Sequence, residues 1–205
     1  MKPPAILVVS DIHIGIAESH VAKLIEFLEK TKFDTIIFNG DIFDILTWLR
    51  HSPTCFKEHW PYIKKIMKLI KGKKAYYLPG NHDRYSWLLL PFSLFLGIKI
   101  RQRVRYKNCI IEHGDAIELY LKIRRLFNKD IIIYTDPGES GEEDFHQNCM
   151  EFAKIKNKIL VVGHSHVKRE EDYLFYDEGD WVKNDSYLTI EGKYGNYIQL
   201  KNYIE

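Results

Sequence analysis

The sequence predicts an α/β protein whose strands are buried on both faces. Two observations carry that reading. Five short apolar runs rich in Ile, Val and Tyr recur along the chain, and helical patterns with one apolar face lie between several of them. Hydrophobic residues fill 45% of the 205 positions and charged residues 28%, enough apolar material for the core of one soluble domain.

The first strand is read at "AILVVS" (5–10). Residues 20–30, "HVAKLIEFLEK", then place Val21, Leu24, Ile25 and Leu28 on one helical face. A second strand follows at "TIIFN" (35–39). Residues 56–71 return to helical spacing with Phe56, Trp60, Ile63, Ile66 and Ile70. "KAYYLP" (74–79), "CIIEH" (109–113) and "KILVVG" (158–163) complete the buried strands. Between the last two, residues 116–157 carry a helical pattern ("IELYLKIRRLFNK"), a Pro-Gly break at 137–138, an acidic patch at 139–144 and a second helical pattern. That amphipathic content predicts an ordered helical cap inserted into a single domain spanning 1–205. From residue 172 the chain alternates, is rich in tyrosine and has a turn signal at Gly192-Lys193. This predicts a closing antiparallel set of strands.

Thirty basic and 28 acidic side chains leave a net charge of +2, which gives no whole-protein argument for a nucleic-acid partner. Three scattered cysteines, Cys55, Cys109 and Cys149, fit reduced thiols better than a disulfide framework. The N-terminal apolar run is too short to span a bilayer and lacks a signal-cleavage pattern, so a cytoplasmic protein is expected.

The chemistry gathers at strand ends. Asp11 and His13 follow the first strand as D-I-H. Asp41 and Asp44 follow the second as G-D-I-F-D. Asn81 and His82 follow the third, His113 ends the fourth as H-G-D, and His164 and His166 follow the fifth as G-H-S-H. The carboxyl ends of strands are where an open α/β sheet forms its ligand crevice. In extended chain, alternate residues point the same way, so D-x-H and H-x-H would each aim two donors into one site. Glycines at 40, 80, 114 and 163 allow tight turns beside a ligand. Mixed imidazole and carboxylate donors suit Mn, Fe or Zn rather than calcium. Asp11, His13, Asp41, Asn81, His113, His164 and His166 exceed one tetrahedral shell and fit two ions sharing a carboxylate. A lone core histidine is usually structural. Here five of the nine histidines fall in these clusters, which leaves a purely structural role little room.

The series D-I-H, G-D-I-F-D, G-N-H-D, H-G-D and G-H-S-H resembles the calcineurin-like metallophosphoesterase superfamily, with all five blocks spread over 11–166. The resemblance implies a four-layer α/β/β/α sandwich with two divalent ions, Mn²⁺ first, with Fe, Zn and Ni as alternatives. It implies that Asp11, His13 and His166 hold one ion, that Asn81, His113 and His164 hold the other, and that Asp41 bridges them. His82 would be the proton donor, oriented by Asp44. Within the superfamily, the chain is most similar to the UDP-2,3-diacylglucosamine hydrolases: "GDIFDILTW" with its aromatic at 48, the helical insertion after "HGD", and "GDWV" at 179–182. It departs from them at His82, where those enzymes often have Arg.

The activity so implied is hydrolysis of a phosphoester or pyrophosphate in a small nucleotide- or lipid-linked substrate, with Arg84 binding phosphate. Lys122, Arg124, Arg125 and Lys129 on the expected cap suit a second phosphate or peripheral contact with an anionic membrane, and equally a solvated helix face. Two classes of alternative stand beside this, one of other hydrolases and one without catalysis. A phosphodiesterase or nuclease uses similar motifs but would want a long basic track. A protein serine/threonine phosphatase would continue the second motif with Arg-Gly, where this chain has Ile45-Leu46. The other is a non-catalytic scaffold, since the retromer complex contains a subunit with this fold. Scaffolds of that kind tend to lose ligands or the proton donor, and this chain keeps both.

Overall fold

The computed structural model describes residues 6–44, 53–83, 97–117, 139–192 and 197–203, except the side chains of 53–56 and 139–141. Strand β1 (Ile6–Val9) is buried along its length, and its two faces serve two different cores. Leu7 and Val9 pack with helices α1 (Val21–Lys30) and α2 (Pro53–Ile70), whose apolar faces present Leu24, Ile25, Leu28, Ile66 and Ile70. Ile6 and Val8 face the opposite way, into a core shared with Ile111, Val161 and Tyr176 of a second sheet. Period-two alternation thus sorts each strand between helices on one side and strands on the other.

The first sheet has the order β11-β10-β1-β2-β3-β4. Its parallel centre is β1, β2 (Thr35–Asn39), β3 (Lys74–Leu78) and β4 (Ile98–Ile100). The second sheet, β5-β6-β7-β9-β8, holds β5 (Val104–Tyr106), β6 (Cys109–Ile111), β7 (Ile159–Val162), β8 (Arg169–Glu171) and β9 (Phe175–Asp177). Helix α3 (Glu139–Lys156) covers its outer face through Phe145, Cys149, Met150, Phe152 and Ala153. Helices, sheet, sheet and helix make the four layers that the motif series implied. The five buried strands, the two helices and the second helical pattern lie where expected, with ends that differ by at most three residues.

The C-terminal strands differ from the expectation. They do not form one antiparallel set. Strand β9 is buried at all three residues and inserts parallel to β7, with β8 antiparallel beyond it. The hairpin of β10 (Ser186–Glu191) and β11 (Tyr197–Asn202) returns to the first sheet and pairs antiparallel with β1. Gly192 of the expected turn takes a left-handed φ of 91°, while Lys193 lies outside the described residues.

Helix α3 connects parallel β6 to β7, so the second half of the 116–157 insertion is a layer of the sandwich. The helix expected at 117–129, with Lys122, Arg124, Arg125 and Lys129, falls beyond Ile117 outside the described residues, as does the Pro-Gly break. Cys109 and Cys149 are both buried. No helix among the described residues is long and apolar enough to cross a membrane.

Packing between the sheets sets the stability. Ile37→Ala, at a side chain with 0% exposure, should cost about 2–5 kcal/mol in urea unfolding. Tyr173→Ala, at 79% exposure, should stay within about 0.5 kcal/mol of the native chain.

Candidate metal centre

Beyond the strand ends the chain does not continue extended. Asp11, His13, Asp41, His164 and His166 have φ of 49°, 50°, 50°, 77° and 60°, five of the ten left-handed non-glycine residues among those described. Each such residue costs on the order of 1–2 kcal/mol. The alternation expected for D-x-H and H-x-H is therefore replaced by two left-handed residues flanking one ordinary one. For D-x-H the result is the expected convergence, with His13 Nε2 3.9 Å from Asp11 Oδ1. For H-x-H it is not: His164 and His166 join different groups.

Cross-loop hydrogen bonds hold this backbone. Asp11 N–H donates to Gly40 O at 3.1 Å, His13 N–H to Asp41 O at 2.9 Å and Gly163 N–H to His113 O at 3.1 Å. Gly80 has its expected role, because a Cβ there would overlap Asp41 Oδ1 and come within 2.7 Å of His113 Nε2. Only glycine lets β3 end so close to both.

Three sets of donors converge. Asp11, His13 and His166 form the first, with His166 Nε2 3.4 Å from Asp11 Oδ1. Asp41, His113 and His164 form the second. Asn81 completes it, its Oδ1 lying 3.3 Å from His113 Nε2 and 2.9 Å from His164 Nδ1. The third, His13, Asp44 and His82, shares His13 with the first. Asp44 Oδ2 is 3.4 Å from His82 Nδ1 and 3.7 Å from His13 Nδ1. Asn81 and His82 sit in a turn, and His82 N–H donates to Asp41 Oδ1 at 2.8 Å. Arg84 lies outside the described residues.

The electrostatics favour bound cations. Burial pushes the imidazoles of His13 and His164 down to about 4, so both are neutral with a lone pair free at pH 7. Burial lifts Asp11 above the carboxylate range against the pull of His113 and His166. Burial would also raise Asp41, but its hydrogen bond and charge contact with His113 hold it below the usual carboxylate range. Burial opposes protonation of His113 too, yet the carboxylates of Asp11 and Asp41 outweigh it and raise its pKa to about 10. Asp11 Oδ1 and His13 Nε2 are buried and accept no hydrogen bond. Two converging lone pairs without a donor are costly in a protein interior and suit a metal cation. The donor set therefore fits divalent metal.

Supporting groups fix which ring nitrogen faces inward. His113 Nδ1–H donates to Asn39 O at 2.9 Å, which leaves Nε2 toward Asp41. His166 Nδ1 lies 3.1 Å from Asp180 Oδ2, whose other oxygen accepts the N–H groups of Lys183 and Asn184 at 2.9 Å. Asp83 accepts from Gly80 N–H, Ile42 N–H and the Tyr77 hydroxyl, tying the third strand end to the second. Sequence reasoning missed Asn39, Asp83 and Asp180 as site residues. The last two lay in quoted motifs, G-N-H-D and "GDWV", but only as marks of the family resemblance.

With His113 protonated in the metal-free chain, a cation at the second set displaces its Nε2 proton. Mn²⁺ titrated calorimetrically in buffers of different ionisation heat should release at least one proton per chain at pH 7. Affinity should rise with pH toward about 10, by about tenfold per unit. Proton-neutral binding would contradict this ordering.

No curated protein matches significantly. Among solved structures, an archaeal phosphodiesterase is 16% identical, with a TM-score of 0.54 and 96% and 98% of the two chains covered. The TT1561 protein of Thermus thermophilus is 12% identical at a TM-score of 0.54, with 98% and 99% covered. A single mutant of Vps29 from Entamoeba histolytica is 13% identical at 0.50, again with 98% and 99% covered. Identities this low speak for a shared fold alone. The family model described as calcineurin-like phosphoesterase matches residues 4–179, and the chain belongs to that family.

Proposed function

We propose that the chain is a divalent-metal-dependent hydrolase of a phosphoester or pyrophosphate bond, working with two ions. The observation that carries this reading is the convergence of two donor sets with a further imidazole–carboxylate pair, His82 and Asp44, beside them. His82 is 38% exposed, whereas His13 beside it is 5% exposed, and Asp44 reaches toward both. The His82 ring is open to a substrate, while its Nδ1 is turned toward the buried Asp44 carboxylate.

Asp11, His13 and His166 would hold one ion and Asn81, His113 and His164 the other, with Asp41 between them. Bound divalent ions supply Lewis acidity at the phosphoryl group. His82 gives a proton to the leaving oxygen, and Asp44 orients its ring. Arg84 follows this turn directly and is assigned to substrate phosphate. Mn²⁺ is the proposed metal and the cytoplasm the proposed location. For substrate we favour a nucleotide-linked pyrophosphate, on the likeness of "GDIFDILTW" and "GDWV" to the UDP-2,3-diacylglucosamine hydrolases. The position of Asp180 behind His166 gives the second motif a physical purpose.

Mn²⁺ stoichiometry should approach two per chain, and Asp41→Asn should lose more metal than removal of an outer ligand. His82→Ala should keep its metal and lose on the order of 10²–10⁴ in turnover on substrates with poor leaving groups. The loss should shrink for nitrophenyl phosphates, whose leaving group needs no proton. Aryl phosphates, bis-aryl phosphates and nucleoside-diphosphate sugars and lipids, each assayed with Mn²⁺, would rank the substrate classes. Tight Mn²⁺ binding without hydrolysis of any of them would favour a scaffold. Failure to bind Mn²⁺ would refute the reading.

A further inference from the structure

Ser165 stands between the two histidines of G-H-S-H, and its hydroxyl does not face the donor sets. It donates to Asp177 Oδ2 at 2.6 Å and accepts the N–H of Val167 at 3.1 Å. His146 of α3 meets the same pair, with Nε2 3.2 Å from Asp177 Oδ2 and 3.2 Å from Ser165 Oγ. Its other nitrogen, Nδ1, lies 3.2 Å from Arg169 Nη1. Arginine can only donate, so Nδ1 accepts and Nε2 carries the hydrogen. Asp177 Oδ1 accepts Gly179 N–H at 3.1 Å. Every polar atom of the cluster therefore has a partner, although His146 and Asp177 are buried to 2% and 0% exposure.

Serine, histidine and aspartate together invite a nucleophilic reading, which this geometry excludes. In a catalytic triad the carboxylate and the hydroxyl address opposite ring nitrogens. Here both address Nε2, Nδ1 is taken by Arg169, and the serine proton is already held by the carboxylate. The cluster cannot activate its hydroxyl. It can hold a loop.

We propose that Ser165, His146 and Asp177, anchored by Arg169, are positioning residues that lock the His164–His166 turn and so set both donor sets at once. The inference rests on the metal-centre reading above. Its physical basis is the strain in that turn, where His164 and His166 flank Ser165 in left-handed backbone. The hydroxyl takes the N–H that follows the turn and ties it to a carboxylate at the end of β9. Helix α3 adds a second hold, since Phe145 packs its ring 5.4 Å from that of His164. Arg169 is in turn gripped by Glu143 at 2.6 Å and Glu171 at 3.1 Å, so the chain of contacts runs from a surface ion pair to the core of the site.

The test is Mn²⁺ affinity measured by calorimetry, beside the melting temperature of the metal-free chain. Ser165→Ala should weaken Mn²⁺ binding about 10- to 100-fold. Ser165→Thr, which keeps the hydroxyl, should stay within about threefold of native. His146→Ala should behave like Ser165→Ala, and His146→Gln, which keeps a donor near Nε2, should recover most of the affinity. The metal-free melting temperature of the Ser165 variants should move by only a few degrees. Should His146→Ala unfold, the Ser165 pair decides alone. Native-like affinity in Ser165→Ala, or equal weakening in Ala and Thr, would overturn the proposal and leave the function standing. A native chain that takes up no Mn²⁺ would overturn both.

Discussion

Asp11 and Asp41 lie at the ends of neighbouring parallel strands, buried and of like sign, and the arrangement of the site follows from that placement. Each raises the electrostatic cost of the other, and burial removes the water that would screen them. In the metal-free chain His113 answers this by keeping a proton, acting as the counter-ion for both. His13 and His164, with no comparable claim on those carboxylates, stay neutral. At His166 burial is likewise outweighed, by Asp180 and Asp11, which raise its pKa, so the pocket is poised to exchange protons for cations. Asn39, Asp180 and the bare backbone of Gly80 all hold the participants in that exchange.

The backbone carries the same constraint in another form. Residues in left-handed conformation persist only where their surroundings over-determine them. Here the determinants include hydrogen bonds between loops that leave different sheets. His164 N–H donates to Asp11 Oδ2 at 3.1 Å and Trp181 N–H to Asp11 O at 3.1 Å. The first sheet supplies the acids and the second supplies most of the imidazoles. Neither of the first two donor sets is complete on one sheet alone.

The parts legible in the sequence were those with a chemical or compositional mark. Strands such as "TIIFN" and "KILVVG" are unbroken apolar runs because they are covered on both faces. The donors showed through residue type and position at strand ends. Face, however, is not sheet. The alternation of "SYLTIE" says that Ser186, Leu188 and Ile190 turn inward, but not that β10 rejoins β1 rather than β9. Helix α3 read as a cap because its first turns are acidic and its apolar face is interrupted by His146 and Asn148, both of them buried. Asp180 left no mark because it works by accepting backbone N–H groups, which any aspartate in any loop can do. The left-handed backbone escaped for a related reason: Asp and His tolerate it without the glycine that would have signalled it.

The distances in sequence across the site bear on how the molecule folds. Asp11 reaches His166 and Ser10 reaches Gly179, which stand 155 and 169 residues apart. Such contacts join loops of the two different sheets and are expected to form late, after both sheets have assembled and docked. Interactions absent from the transition state slow unfolding while leaving the folding rate nearly unchanged. The donor sets therefore act as a latch on a finished structure, and a cation that engages them would lengthen the lifetime of the native state without helping the chain to reach it.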